Sequence, residues 1–243
     1  MNDGIKYGKG LFETIKVVDS NPVYFEDHIE RLENSMKFLG INADNLRENI
    51  KDKMQNINLA TDCLRIMVLD DNGDYDLFVT TRSTDYSDEK YKEGLKLKVL
   101  NQLRDKNNPL IYHKTNNYLL NDYLHKKLLE EGFDEGIFLN KDGNVTEGTY
   151  TNVFFIQKET ILTPPVEDGI LPGIFRKKLI DFLRVKRYNI VEESIKLNEL
   201  RDMDCCFVTN SLMEMRLVKQ IDEILFSKNN LFCEISKKLR IEN

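Results

Sequence analysis

The stretch Ile111-Tyr112-His113-Lys114-Thr115-Asn116-Asn117-Tyr118-Leu119 places a lysine where a short apolar run gives way to a helical pattern. Leu120, Leu124 and Leu128 continue that pattern at a spacing of four until Gly132 stops it. Upstream, residues 101–109 are rich in Asn, Asp, Lys and Arg and end in Pro109, the composition of a connecting segment. The reading is a two-domain chain: an N-terminal α+β domain over 1–103, a linker over 104–112 and a C-terminal domain over 113–243. A lysine entering a domain just ahead of a helix is well placed to reach into a cleft, where small-molecule sites are common.

Working toward the N-terminus, Phe12 to Val18 and Val23 to Phe25 are β-prone runs around Asp19-Ser20-Asn21-Pro22, which predicts a hairpin. Phe25, Ile29, Leu32, Met36 and Leu39 step by four, three, four and three, so one helical face runs to Gly40. Leu46, Ile50, Met54 and Ile57 predict a second helix. Cys63 to Leu69, Tyr75 to Thr81 and Leu95 to Leu100 predict strands, the first two joined through Asp71-Asn72-Gly73-Asp74.

Toward the C-terminus, Gly136 to Leu139 and the run from Val145 flank the turn Asn140-Lys141-Asp142-Gly143-Asn144. Strands follow at 152–156 and 160–163. Gly169-Ile170-Leu171-Pro172-Gly173 opens a helix whose Phe175, Leu179, Phe182 and Leu183 share a face. A strand from Cys205 to Val208 and a helix from about Leu231 complete the chain.

Composition excludes several classes. A net charge of −6 argues against a nucleic-acid partner, which needs a basic face. No stretch reaches the roughly 20 apolar residues of a membrane span, and Met1-Asn2-Asp3-Gly4 opens without a signal peptide's apolar core, so a cytoplasmic protein is expected. The three histidines show no metal-ligand spacing, so no metal site is proposed. Cys63, Cys205, Cys206 and Cys233 read as buried free thiols, because the adjacent pair lies in an apolar run.

Glu147 stands in Asn144-Val145-Thr146-Glu147-Gly148-Thr149-Tyr150-Thr151-Asn152-Val153-Phe154-Phe155, between two apolar strand-like runs. A polar-flanked lysine alone is ordinarily a solvated amine, and a strand glutamate alone an exposed carboxylate. Together they suit pyridoxal phosphate: an amine closes a Schiff base with its aldehyde, and a carboxylate keeps its ring nitrogen protonated. The phosphate needs anchors. Gly173, Ile174 and Phe175 offer backbone N–H groups at a helix start. Asn210, Ser211 and Leu212, after a strand, offer a second donor turn. Arg31 offers a fixed cation. Gly8-Lys9-Gly10 lacks the spacing of a P-loop or dinucleotide fingerprint.

These segments carry a resemblance to the fold-type IV pyridoxal phosphate enzymes, which include D-amino-acid and branched-chain aminotransferases and aminodeoxychorismate lyases. Tyr7-Gly8-Lys9-Gly10-Leu11-Phe12-Glu13-Thr14 resembles the family's opening motif, and His28-Ile29-Glu30-Arg31-Leu32 the segment with its phosphate-binding arginine. Lys114 matches the Schiff-base lysine. Thr146-Glu147-Gly148 with Asn152-Val153-Phe154 resembles the segment with the ring-nitrogen glutamate. Gly169 to Ile174 and Asn210-Ser211-Leu212 resemble the two phosphate turns. Lys114-Thr115-Asn116-Asn117-Tyr118 and Asn210-Ser211-Leu212-Met213 look most like the aminodeoxychorismate lyases. Arg216-Leu217 before Val218, in place of a usual proline, and a short 70–76 loop depart from them.

The resemblance implies a homodimer acting on a small amino substrate, with Lys114 and Glu147 catalytic. Thr14, Arg82 and Arg216 are the candidates for holding a substrate's carboxylates. From the intermediate such enzymes share, a lyase expels pyruvate from aminodeoxychorismate, leaving 4-aminobenzoate, whereas a transaminase acting on D- or branched-chain amino acids releases a keto acid. The contrasting expectation is a non-catalytic dimeric binding module of the same fold, with Lys114 unused.

Overall fold

The computed structural model describes residues 3–84 and 91–242. Contacts gather the described residues up to Thr84, together with His113–Leu119, into one compact unit, and those of Tyr91–Tyr112 and from Leu120 onward into another.

The first unit opens with α1 (Asp3–Tyr7), β1 (Gly10–Val18) and β2 (Asn21–Pro22), then α2 (Phe25–Leu39), α3 (Leu46–Met54), β3 (Cys63–Asp71) and β4 (Asp74–Arg82). Its sheet runs β2-β1-β3-β4, and all its pairings are antiparallel. Both predicted hairpins form, and their chemistry is visible in the backbone. Asp19 and Ser20 take φ of 50° and 63°, and Asn72 and Gly73 take 56° and 94°, the left-handed pair that a two-residue β-turn requires. The return strand of the first hairpin lies not at Val23 to Phe25 but at Asn21–Pro22, inside the expected turn, because the chain reverses at Asp19-Ser20 and Tyr24 then turns left-handed at φ 54° to start α2 at Phe25.

Ile29, Leu32 and Met36 of α2 are almost fully buried against Leu11, Ile15 and Val17 of β1 and Leu64, Ile66 and Val68 of β3. Each such side chain stabilises by about 1.5–3 kcal/mol. Gly40 ends α2 at φ 68°, its N–H donating to Lys37 O, while the Ile41 N–H donates to Met36 O. Alternation along β1 puts Leu11, Glu13, Ile15 and Val17 on the helix side and Phe12 and Thr14 on the other.

The second unit contains β5 (Leu95–Arg104), α4 (Leu119–Glu130, after its first residue), β6 (Glu135–Asn140), β7 (Val145–Gly148), β8 (Asn152–Gln157), β9 (Thr160–Thr163), α5 (Ile174–Val185), β10 (Asn189–Glu192), β11 (Cys205–Asn210), β12 (Glu214–Ile221), β13 (Ile224–Leu225) and α6 (Asn230–Glu242). Strands β8, β11, β12, β5, β6 and β7 follow one another, and β7 pairs back onto β8, which closes a six-stranded barrel. Strands β9 and β10 extend the sheet from β8. Val153, Phe155, Cys206, Val208, Leu97 and Ile137 belong to one buried cluster. On the other face Phe154 stacks on Phe207, which meets Phe232 of α6.

Strand β5 pairs in parallel with β12 and β6, so it belongs to this barrel although it was read with the first half of the chain. Its end at Asn101-Gln102-Leu103-Arg104 had the composition of a connection, because a register shift between Val99 and Leu103 leaves polar side chains exposed there. Of the thiols, Cys63, Cys205 and Cys206 are buried as expected, and burial pushes Cys205 up to about 11. Cys233 differs: it lies on the exposed face of α6.

Candidate active site

The first unit holds Lys114. Its segment adds to β1: the Phe12 N–H donates to Lys114 O at 2.9 Å, the Asn116 N–H donates to Gly10 O at 2.9 Å, and Leu11 bridges Thr115 antiparallel. This pairing sets Lys114 opposite Phe12, on the face of β1 away from α2. The Lys114 Nζ lies 4.3 Å from the centroid of the Phe12 ring and 4.8 Å from that of Tyr118, and the two rings meet edge to face at 5.1 Å. An amine held on two aromatic faces keeps a fixed pose. The Phe12 ring also carries the Arg65 guanidinium, 4.4 Å from its centroid, and Arg65 stands directly across the ladder from Thr14. Lys114, Arg65 and Thr14 therefore share one surface of the sheet.

Glu13, one residue along, points the other way. Its carboxylate accepts from Arg31 Nε at 2.8 Å and Nη2 at 2.6 Å, and His28 Nδ1 lies 2.7 Å from it. Burial works to raise the Glu13 pKa, but the Arg31 charge and the hydrogen bonds of His28 and Arg31 outweigh it and hold it at about 2. Arg31, expected as a phosphate cation, is thus oriented by a buried carboxylate and lies on the helix side of β1. Arg82 ends the edge strand β4, is exposed and stands across the ladder from Cys63, on the same face of the sheet as Thr14 and Arg65.

The second unit holds Glu147 at the end of the barrel strand β7. Its carboxylate is 7% exposed, paired with Arg104 Nη2 at 3.0 Å, and accepts the Leu171 N–H at 2.9 Å. Arg104 in turn lies over the Phe138 ring at 4.2 Å. The Arg104 guanidinium gives this buried carboxylate a counter-charge. Asn152, directly across from Glu147, donates to Leu171 O at 3.0 Å, so the two side chains grip both sides of the Leu171 backbone.

That grip delivers the chain to α5. Gly173 is its N-cap, and the first helical hydrogen bond is from the Lys177 N–H to Gly173 O, so the amides of Ile174, Phe175 and Arg176 precede any helical acceptor. A Cβ on Gly173 would lie 2.1 Å from Asn152 Oδ1, which reserves this close approach for glycine. In the other expected turn, Asn210 Oδ1 accepts the N–H groups of Leu212 and Met213, both at 2.9 Å. The Leu212 amide, expected as an anion donor, is therefore used inside the turn. Thr209, just before it, is fully buried with its Oγ1 unpartnered among the described residues, a hydroxyl with bonding capacity left over. Arg216 lies over the Tyr91 ring at 5.0 Å.

Each unit holds groups that suit a phosphorylated pyridine aldehyde: the first a seated amine, the second a buried carboxylate paired with a guanidinium, a helix start kept clear by glycine and a spare hydroxyl. Arg65 and Arg104 were missed by the sequence reading, since each is defined by a partner across a strand or far along the chain.

A family model described as amino-transferase class IV matches residues 10–221. The aminodeoxychorismate lyase of Bacillus subtilis strain 168 is 27% identical over 93% of this chain and 82% of its own length. The branched-chain-amino-acid aminotransferase of Escherichia coli K12 is 25% identical over 92% of this chain and 80% of its own. Among solved structures, a candidate 4-amino-4-deoxychorismate lyase of Legionella pneumophila superposes with a TM-score of 0.91 at 32% identity, covering 100% of this chain and 94% of that one. The matched span takes in Lys114, the turns at 169–174 and 210–212 and the Glu147 strand, and the chain belongs to the class IV aminotransferases, pyridoxal phosphate-dependent enzymes of the α+β fold-type IV architecture.

Proposed function

We propose that this chain is a 4-amino-4-deoxychorismate lyase, producing 4-aminobenzoate and pyruvate. The observation that carries the reading is the seat of Lys114: an amine on two aromatic rings, with Arg65 on one of those rings and Thr14 across from that arginine. The substrate has two carboxylates and one amine, and this surface offers a guanidinium and a hydroxyl beside the reactive lysine.

Bound pyridoxal phosphate supplies an aldehyde for the substrate amine and a ring that accepts the electron pair left when the adjacent C–H bond breaks. Lys114 would hold the cofactor through its amine, and the same Nζ, once displaced by the substrate amine, would take the proton from the amine-bearing carbon. Glu147, paired with Arg104, would accept a hydrogen bond from the ring N–H. The amides of Ile174 and Phe175, with Ser211 and Arg31, hold the phosphate, and Arg65 and Thr14 hold a substrate carboxylate. Arg82 and Arg216 remain as further candidates for the second carboxylate. The enzyme works as a cytoplasmic homodimer; the exposed apolar side chains of Leu119, Leu120 and Tyr123 support self-association.

The purified protein is expected to be yellow, with a Schiff-base absorbance band that borohydride abolishes and that Lys114→Ala lacks. A colourless protein that cannot be reconstituted with pyridoxal phosphate defeats the enzyme reading and leaves a binding module. The similarity to branched-chain aminotransferases favours a second reading, transamination. Pyruvate release from aminodeoxychorismate, against keto acid release from D-alanine, D-glutamate or leucine, decides between them.

A further inference from the structure

Glu135 has no part in the chemistry above, yet its carboxylate is a hub. It is 3% exposed and lies at the start of β6. Oε1 accepts from the N–H groups of Gly136 at 2.8 Å and Thr149 at 2.9 Å and from the Thr149 hydroxyl. Oε2 accepts from the Tyr150 N–H at 3.1 Å and the Thr151 hydroxyl at 3.3 Å. From outside, Asn121 Nδ2 donates to Thr149 O at 2.7 Å and His125 Nδ1 lies 3.1 Å from Thr149 Oγ1. A buried carboxylate is costly unless donors surround it, and here nearly all of them come from residues 149–151.

Those residues form the turn between β7 and β8, so they lie between Glu147 and Asn152, which face each other directly. A Cβ on Gly148 would lie 2.2 Å from Thr151 Oγ1 and 3.1 Å from the Glu135 carboxylate, so the turn is closed tightly onto Glu135. The two residues it separates hold Leu171 by its N–H and its carbonyl, two residues before the α5 N-cap. The turn that closes on Glu135 thus lies between two residues that both bind the Leu171 backbone.

We propose that Glu135 is a positioning residue: through the turn at 148–151 it fixes where the Glu147 carboxylate stands relative to the Leu171–Gly173 segment, without touching the cofactor. The inference rests on the reading of Glu147 as the ring-nitrogen partner. Its test is a double-mutant cycle on the apoprotein, titrated by absorbance with pyridoxal phosphate and with the analogue that has carbon in place of the ring nitrogen. Glu135→Gln is expected to weaken pyridoxal phosphate binding about tenfold, on the scale typical of residues that orient a site's contacting groups. The effect should shrink severalfold with the carbon analogue and vanish in a Glu147→Gln background.

Equal weakening for both ligands, additivity with Glu147→Gln, or no effect of Glu135→Gln overturns the positioning role alone. If Glu147→Gln itself leaves binding unchanged, the reading of Glu147 falls and this proposal with it. Should Glu135→Gln fail to fold, Thr151→Val, which removes one donor and keeps the carboxylate, takes its place in the same cycle.

Discussion

Glu13 offers a prediction whose size follows from its surroundings. Its carboxyl is 1% exposed and held at about 2 against an ordinary value of 4.5, because Arg31 and His28 outweigh the penalty of burial. A depressed carboxyl pKa stabilises the fold above the unfolded value, and the contribution disappears as pH falls through the folded one. The gap of roughly 2.5 units, at about 1.4 kcal/mol per unit, corresponds to about 3 kcal/mol near neutrality. Glu13→Gln removes that contribution and leaves Arg31 without its counter-charge, so a loss of about 3–5 kcal/mol is expected at pH 7. By pH 3.5 the wild-type carboxylate has begun to lose its advantage, and the gap between wild type and variant should narrow by about 1 kcal/mol, with the remainder going as pH approaches 2. Urea midpoints of both proteins at pH 7, 4.5 and 3.5 measure the gap, and titrating groups that do not touch Glu13 cancel in the difference. Carbon NMR of the Glu13 carboxyl measures the pKa directly. A gap constant from pH 7 to 3.5, or a carboxyl titrating near 4.5, refutes the reasoning.

Three further substitutions probe the candidate site. Arg104→Met leaves the Glu147 carboxylate buried without its guanidinium, and a loss of about 3–5 kcal/mol in urea unfolding is expected; an unchanged midpoint would show that the pair contributes nothing. Gly173→Ala drives a methyl against Asn152 Oδ1, and Asn152 cannot swing aside without releasing Leu171 O, so a cost of about 1–3 kcal/mol and weaker pyridoxal phosphate binding are expected in the same titrations. Arg65→Met should leave cofactor binding intact while raising KM for aminodeoxychorismate about tenfold to a hundredfold, the worth of ~1.5–3 kcal/mol for a hydrogen bond to a charged group. Steady-state kinetics decide, and an unaltered KM removes Arg65 from the substrate site.

What could be read from the chain alone divides along a physical line. Helix α2 was legible because Phe25, Ile29, Leu32, Met36 and Leu39 repeat at the helical period and Gly40 supplies the left-handed stop. The hairpin at Asn72-Gly73 was legible because few residues adopt two successive positive φ angles. Strand β12 was not: its buried Met215, Val218 and Ile221 are spaced by three, and the register shift between Val218 and Gln220 breaks the alternation that marks a strand. The site divides in the same way. Lys114 and Glu147 announce themselves through their own neighbours in sequence, whereas Arg65 matters only because the β1–β3 register sets it across from Thr14, and Arg104 only because the barrel brings β5 beside Glu147. The Leu212 amide shows the converse, since composition offered it as a donor and the fold turned it inward to Asn210. Local sequence thus offers the candidate lysine and glutamate, while strand register and barrel closure choose the charges that stand beside them; those neighbours are the feature least readable from order along the chain.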